Sequence, residues 1–116
     1  DFLAFLNQSV MGSMFTRYKS PAYVNLDFTP TFTPELLLKD FELGFEAARA
    51  QGVPMPVAAA ARETVRSLMG NGYLDVDFAA LLELEARGAG LELEPENVPV
   101  SDGLGGEPVG AAARAG

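Results

Sequence analysis

An all-α domain followed by an irregular C-terminal tail is what this sequence predicts. Apolar residues recur at helical spacing, the periodic runs are bounded by Ser, Thr, Asp, Pro or Gly, and no clear strand pair is present. The chain has 116 residues, 48% of them apolar, with 12 Gly, 8 Pro and a formal net charge of −8. At this size roughly two-thirds of the unfolded surface is buried on folding, which is enough for a core.

The elements follow in order. Phe2, Phe5 and Leu6 form an i, i+3, i+4 stripe ending near Asn7 and Gln8, so the chain opens inside or close to a helix. Ser9 is the expected N-cap of a second helix, whose apolar face is Met11, Met14, Phe15 and Tyr18. Ser20-Pro21 is expected to stop it, because the residue before Pro is pushed out of the helical region. Residues 22–33 carry no helical pattern. Thr33 then caps a helix with Pro34 at its first position and Glu35 in its first turn, running to about Gln51 with Gly52 as its left-handed stop. Pro56 starts the next helix, which has Val57, Ala61, Val65 and Leu68 on one side and Arg62, Glu63 and Arg66 on the other, and ends at Gly70-Asn71-Gly72. Asp77 caps a last helix through Leu84, ending before Gly88.

Residues 88–116 differ in kind. They hold seven Gly, three Pro and no aromatic residue, and they carry half of the net charge. Such a segment buries too little apolar surface to offset its ordering entropy. Leu91-Glu92-Leu93-Glu94 alternates like an edge strand, and any order in the tail requires something that holds it. The expected division is therefore a helical domain over 1–87 and an acidic tail over 88–116.

Composition removes several function classes. Without Cys or His there is no thiolate catalysis, Ser–His pair, disulfide scaffold or usual zinc site, and no metal is expected. A net −8 argues against nucleic-acid binding, and no apolar run reaches the roughly 20 residues of a membrane span. The expectation is a soluble, cytoplasmic protein. Asp75-Val76-Asp77 begins like a calcium loop, but Ala80 and Ala86 stand where Gly and Glu are needed, so it is read as turn and cap. Gly103-Leu104-Gly105-Gly106 has no strand before it and no helix after it, so it is not a dinucleotide fingerprint.

The helix from Pro34 is the informative one. Glu35, Glu42, Glu46 and Arg49 share one sector, with Lys39 on its edge. Leu37, Phe41, Gly44, Phe45 and Ala48 lie opposite, and Leu36, Leu43 and Ala47 fill a flank. A helix this apolar is expected to be largely buried in the assembled protein. For Lys39 the ordinary reading is an ion pair with a neighbouring Glu. Asp40 projects roughly 160° from Glu42, into the sector of Leu36, Leu37 and Ala47. A carboxylate buried there has to be paired, hydrogen-bonded or facing a polar cavity.

The ordered series from Phe32-Thr33-Pro34 through Lys39-Asp40, Gly52-Val53-Pro54 and Gly70-Asn71-Gly72 to Asp77-Phe78 resembles the C-terminal helical domain of the β-hydroxyacid dehydrogenases. That is the family of 3-hydroxyisobutyrate dehydrogenase, tartronate semialdehyde reductase and glyoxylate reductase, with a helical domain like that of 6-phosphogluconate dehydrogenase. The resemblance covers about residues 1–86. It implies an NAD or NADP cofactor held mainly by an N-terminal Rossmann domain upstream of Asp1, which also precedes a catalytic lysine outside this chain. It implies that Lys39 contacts the nicotinamide end, that Asp40 supports catalysis and that Phe32 lines the substrate pocket. It further implies hydride transfer to or from a small 3-hydroxy acid or semialdehyde, with a homodimer or homotetramer formed through this domain. Two other readings are a helical oligomerisation module without activity of its own, using the Phe, Met and Tyr residues of the first 30 positions, and a domain like that of imine reductases. On the main reading the 116-residue chain alone does not oxidise NAD(P)H with a semialdehyde. Steady loss of reduced-nicotinamide absorbance with the purified chain would contradict it.

Overall fold

A computed structural model describes residues 2–105. It is all-α, with no β-strand among the described residues. The helices are α1 (Phe2–Gln8), α2 (Met14–Asn25), α3 (Pro34–Ala50), α4 (Pro56–Gly70) and α5 (Leu81–Gly88), and a 3₁₀ turn, Phe78–Ala80, leads into α5. Two compact units divide them. One holds the described residues up to 27 together with those from 92 onward, and the other is Phe28–Leu91. Residues 106–116, and with them Arg114 and the end of the acidic tail, lie outside the described residues.

In the first unit, the start of α2 departs from the sequence expectation. Ser13, not Ser9, is the N-cap: its hydroxyl accepts from the Thr16 N–H, and the Thr16 hydroxyl accepts from the Ser13 N–H at 2.8 Å. This reciprocal pair satisfies two orphan donors at once, which a lone Ser9 does not. Ser9 instead closes α1, donating its hydroxyl to the Leu6 carbonyl at 2.7 Å. Between them Gly12 runs so close to α1 that an added Cβ would lie 2.5 Å from the Asn7 carbonyl oxygen. The second departure is Pro21, which lies inside α2 instead of ending it. Pro has no N–H to continue the ladder, and in a helix interior it is tolerated only where packing compensates. Here Lys19, Ser20 and Pro21 are buried, and Ser20 donates to the Thr16 carbonyl while accepting from Asn7 Nδ2 at 2.9 Å. Residues 22–25 are therefore helical, and the helix stops at Leu26 in the left-handed conformation.

What holds the start of the tail is the end of α2. Asn25 Nδ2 donates to the Val98 carbonyl and Asn25 Oδ1 accepts from the Val98 N–H, both at 2.9 Å, and the Glu96 N–H donates to the Val24 carbonyl. Leu91–Glu94 forms no strand.

The second unit contains the buried apolar core, with Val65 and Leu68 of α4 and Ala79 and Ala80 of the 3₁₀ turn. Thr33 caps α3 and Pro34 occupies its first position, as the sequence indicates. Gly52 and Gly72 end α3 and α4 at φ 66° and 87°, and the following N–H reaches back five residues in each case, Val53 to Ala48 and Tyr73 to Leu68. The same device extends α5 beyond its expected end: Gly90 is the left-handed residue and the Leu91 N–H bonds the Ala86 carbonyl. Of the predicted apolar side of α4, Val65 and Leu68 are buried whereas Val57 is 82% exposed. Leu68, fully shielded from solvent, carries the first test. Leu68→Ala should lower the unfolding free energy by about 3 kcal/mol in urea titration, through lost transfer energy and an uncollapsed cavity.

Candidate functional site

The three residues singled out by sequence all lie at or near the start of α3. Thr33 Oγ1 accepts from the Leu36 N–H, Pro34 is buried at the first helical position, and Glu35 sits in the first turn. With the start fixed, a rise of 1.5 Å per residue puts Asp40 about 9 Å along the axis from Pro34.

The rotation of α3 is set by α4. Leu37, Phe41, Phe45 and Ala48 are half-buried, and the rings of Phe41 and Phe45 lie 6.5 Å apart at 27°. Arg62 reaches across from α4 with its guanidinium carbon 4.3 Å from the centre of the Phe45 ring. Its Nη1 donates to Glu42 Oε1 at 3.4 Å, and its Nε lies 3.3 Å from Glu63 Oε1 without hydrogen-bond geometry. With 23% of its side chain exposed, Arg62 is a fastener of the helix pair through ring face and carboxylate together. The sequence placed Arg62 on the outer side of α4. Its role depends on which α3 residues come opposite, and spacing within α4 carries no trace of that.

Turning Phe41 and Phe45 inward turns the other arc outward. Leu36 and Leu43 are 46% and 57% exposed, and Asp40, Gly44 and Ala47 face solvent beside them. The sector expected to be covered in an assembled protein is thus open in this chain. Asp40 is solvated and has no hydrogen bond or ion pair among the described residues. Lys39 is exposed on the same arc and likewise unpaired among them. The ion pair expected for Lys39 does not form with Glu42, which is taken by Arg62.

Phe32 stands just outside the α3 cap and is half-buried. Its ring and that of Phe78 form a T-shaped pair, with a centroid distance of 6.2 Å and an interplanar angle of 89°, a favourable aromatic geometry. Its N–H donates to Asp77 Oδ2 at 3.0 Å, and its carbonyl accepts from the Phe78 N–H at 2.9 Å. The structure therefore brings Lys39 and Asp40 onto one exposed arc and fixes Phe32 at the entrance of the same helix. Asp77, 1% exposed, is the residue whose part was larger than the sequence reading gave it. As expected it is a cap, Oδ1 accepting from the Ala79 N–H at 2.9 Å, but its second oxygen also accepts from the Thr31 N–H and hydroxyl. A carboxylate where a hydroxyl would suffice for capping was the available signal.

Among the described residues no three acidic side chains converge as a metal site, and no helix is long and apolar enough to cross a membrane. Nor do they include a strand followed by a glycine turn and helix of the kind that cradles a dinucleotide pyrophosphate. Toward a nicotinamide cofactor they offer one ammonium and one carboxylate, both unpaired among the described residues, on an exposed helix face.

Residues 1–84 match the family model described as NAD-binding of NADP-dependent 3-hydroxyisobutyrate dehydrogenase, and the chain belongs to that family of NAD(P)-dependent oxidoreductases. A comparison with curated proteins found no match.

Because neither the Lys39 nor the Asp40 side chain makes a hydrogen bond or ion pair within the described residues, Lys39→Gln and Asp40→Asn should each leave the thermal unfolding of this chain within about 0.5 kcal/mol of the original. A larger loss in either would mean that the side chain is structurally engaged.

Proposed function

We propose that this chain is the C-terminal, substrate-cleft part of an NAD(P)-dependent β-hydroxyacid dehydrogenase, transferring hydride between a nicotinamide and a small 3-hydroxy acid or semialdehyde. The observation that carries the reading is the exposed arc of α3, on which Lys39 and Asp40 stand unpaired beside Leu36, Leu43 and Ala47. Exposed apolar side chains around one carboxylate suit a surface that is covered when a dinucleotide-binding domain closes on it. Covering it excludes water and strengthens each electrostatic contact inside.

The nicotinamide supplies the hydride when bound. Lys39 donates a charge-assisted hydrogen bond toward the nicotinamide end and fixes the ring's orientation. Asp40 accepts hydrogen bonds and orients the groups that stabilise charge on the substrate oxygen. Phe32 supplies an apolar wall. Division of the cleft between two domains would leave the dinucleotide cradle and the proton-transferring lysine to the other domain, in keeping with described residues whose regular elements are all helical.

A second reading, assembly through the first unit, is supported by the exposure of Phe2, Phe5, Met11, Met14, Phe15 and Tyr18. It concerns residues of the first unit, whereas the α3 arc belongs to the second.

In the complete enzyme assayed with 3-hydroxyisobutyrate and NAD or NADP, Asp40→Ala should lower kcat/KM by about 10²-fold. Lys39→Ala should raise the KM for cofactor by about tenfold with a smaller effect on kcat. Wild-type kinetics in both variants would remove α3 from the site.

A further inference from the structure

We infer that Asp77 is a positioning residue for Phe32. One carboxylate oxygen caps the turn before α5, and the other fixes the backbone on which Phe32 is carried. The inference rests on the reading of Phe32 as a pocket residue and assigns the residue that sets its place.

The two oxygens have separate tasks. Oδ1 accepts from the Ala79 N–H at 2.9 Å and caps the 3₁₀ turn. Ser, Thr or Asn at this position would do as much. Oδ2 faces the link that runs from α2 to α3 and accepts from the Thr31 N–H at 3.2 Å, the Thr31 hydroxyl at 2.7 Å and the Phe32 N–H at 3.0 Å. Three donors converging on one oxygen suit an ionised carboxylate, which is acceptor-only and forms the stronger, charge-assisted bonds. A neutral amide at the same place would turn an NH₂ toward donors or lose the cap.

Backbone contacts complete the socket. The Asp77 N–H donates to the Phe28 carbonyl and the Phe78 N–H donates to the Phe32 carbonyl, both at 2.9 Å. Phe32 is therefore held at its N–H by the Asp77 side chain, at its carbonyl by the Phe78 backbone, and at its ring by T-shaped packing on the Phe78 ring. These holds come from a dipeptide about 45 positions away in sequence. Capping accounts for the Oδ1 bond, whereas the bonds to Oδ2 come from the link. A wall that selects a small substrate has to be held to within about half an ångström, and a Pro-flanked link without secondary structure does not hold itself.

The discriminating variant is Asp77→Ser, whose hydroxyl can still accept from the Ala79 N–H but does not extend to the link. In the 116-residue chain, far-ultraviolet circular dichroism and the exchange of the Leu68 amide should stay as in the original. The Phe32 amide should exchange at least about tenfold faster. With 4-fluorophenylalanine incorporated, the Phe32 and Phe78 resonances should move while those of Phe41 and Phe45 do not. Thr31→Val, which removes one donor at nearly constant shape, should show the same pattern more weakly and serves if Asp77→Ser does not fold. In the complete enzyme, Asp77→Ser should raise the KM for 3-hydroxyisobutyrate about tenfold with kcat changed by no more than about twofold. Unchanged Phe32 exchange and unchanged fluorine shifts in a folded variant overturn the inference. An unchanged KM in Phe32→Ala overturns instead the pocket reading beneath it, and the exchange result still decides whether Asp77 holds the link.

Discussion

The second unit depends on a buried carboxylate that is nearly sealed from water yet surrounded by donors. Asp77 joins two stretches that have little regular structure, the Phe28–Phe32 link and the 3₁₀ turn before α5. Leaving those donors unpaired in the interior would carry a penalty for each group. The carboxylate therefore converts an irregular connection into a fixed one. Because Thr33 follows Phe32 directly and caps α3, the register of the link is also the register at which α3 begins.

From that start α3 has only its rotation left to settle, and α4 decides it. Leu37, Phe41, Phe45 and Ala48 are half-buried, and Arg62 of α4 fastens the arrangement by stacking on Phe45 while meeting Glu42. Lys39, Asp40, Leu36 and Leu43 then face outward. The exposed arc is thus a consequence of inward packing, and it leaves this member of an NAD-binding oxidoreductase family with a polar pair, Lys39 and Asp40, unspent within the described residues.

Several elements were legible in the residues themselves. Thr33-Pro34-Glu35, Gly52 and Gly70-Asn71-Gly72 mark helix ends whose chemistry is local, since caps and left-handed stops involve neighbours within five residues. Where two local signals compete, a single cap or breaker residue does not decide the helix end. Ser9 and Ser13 are both plausible caps, and Ser13 prevails because Thr16 completes a reciprocal pair. Pro21 is a helix breaker in isolation, but burial of Lys19, Ser20 and Pro21 outweighs the missing bond. The tail's composition predicted little packing, yet Val98 is held by the side-chain amide of Asn25, 73 residues earlier, and Glu96 by the Val24 carbonyl. No pattern within the tail could have announced it.

The sequence by itself determined the all-α class, most helix boundaries, the family and the candidates Phe32, Lys39 and Asp40, because periodicity, capping and motif order are properties of short stretches. Only the tertiary structure decided which face of α3 is open, that Glu42 belongs to Arg62 instead of Lys39, and that Asp77 holds Phe32. Each of these joins residues between about 20 and 46 positions apart. Such pairings are selected by the packing of whole helices and by the demand that buried donors find acceptors, conditions that exist only once the chain has closed on itself.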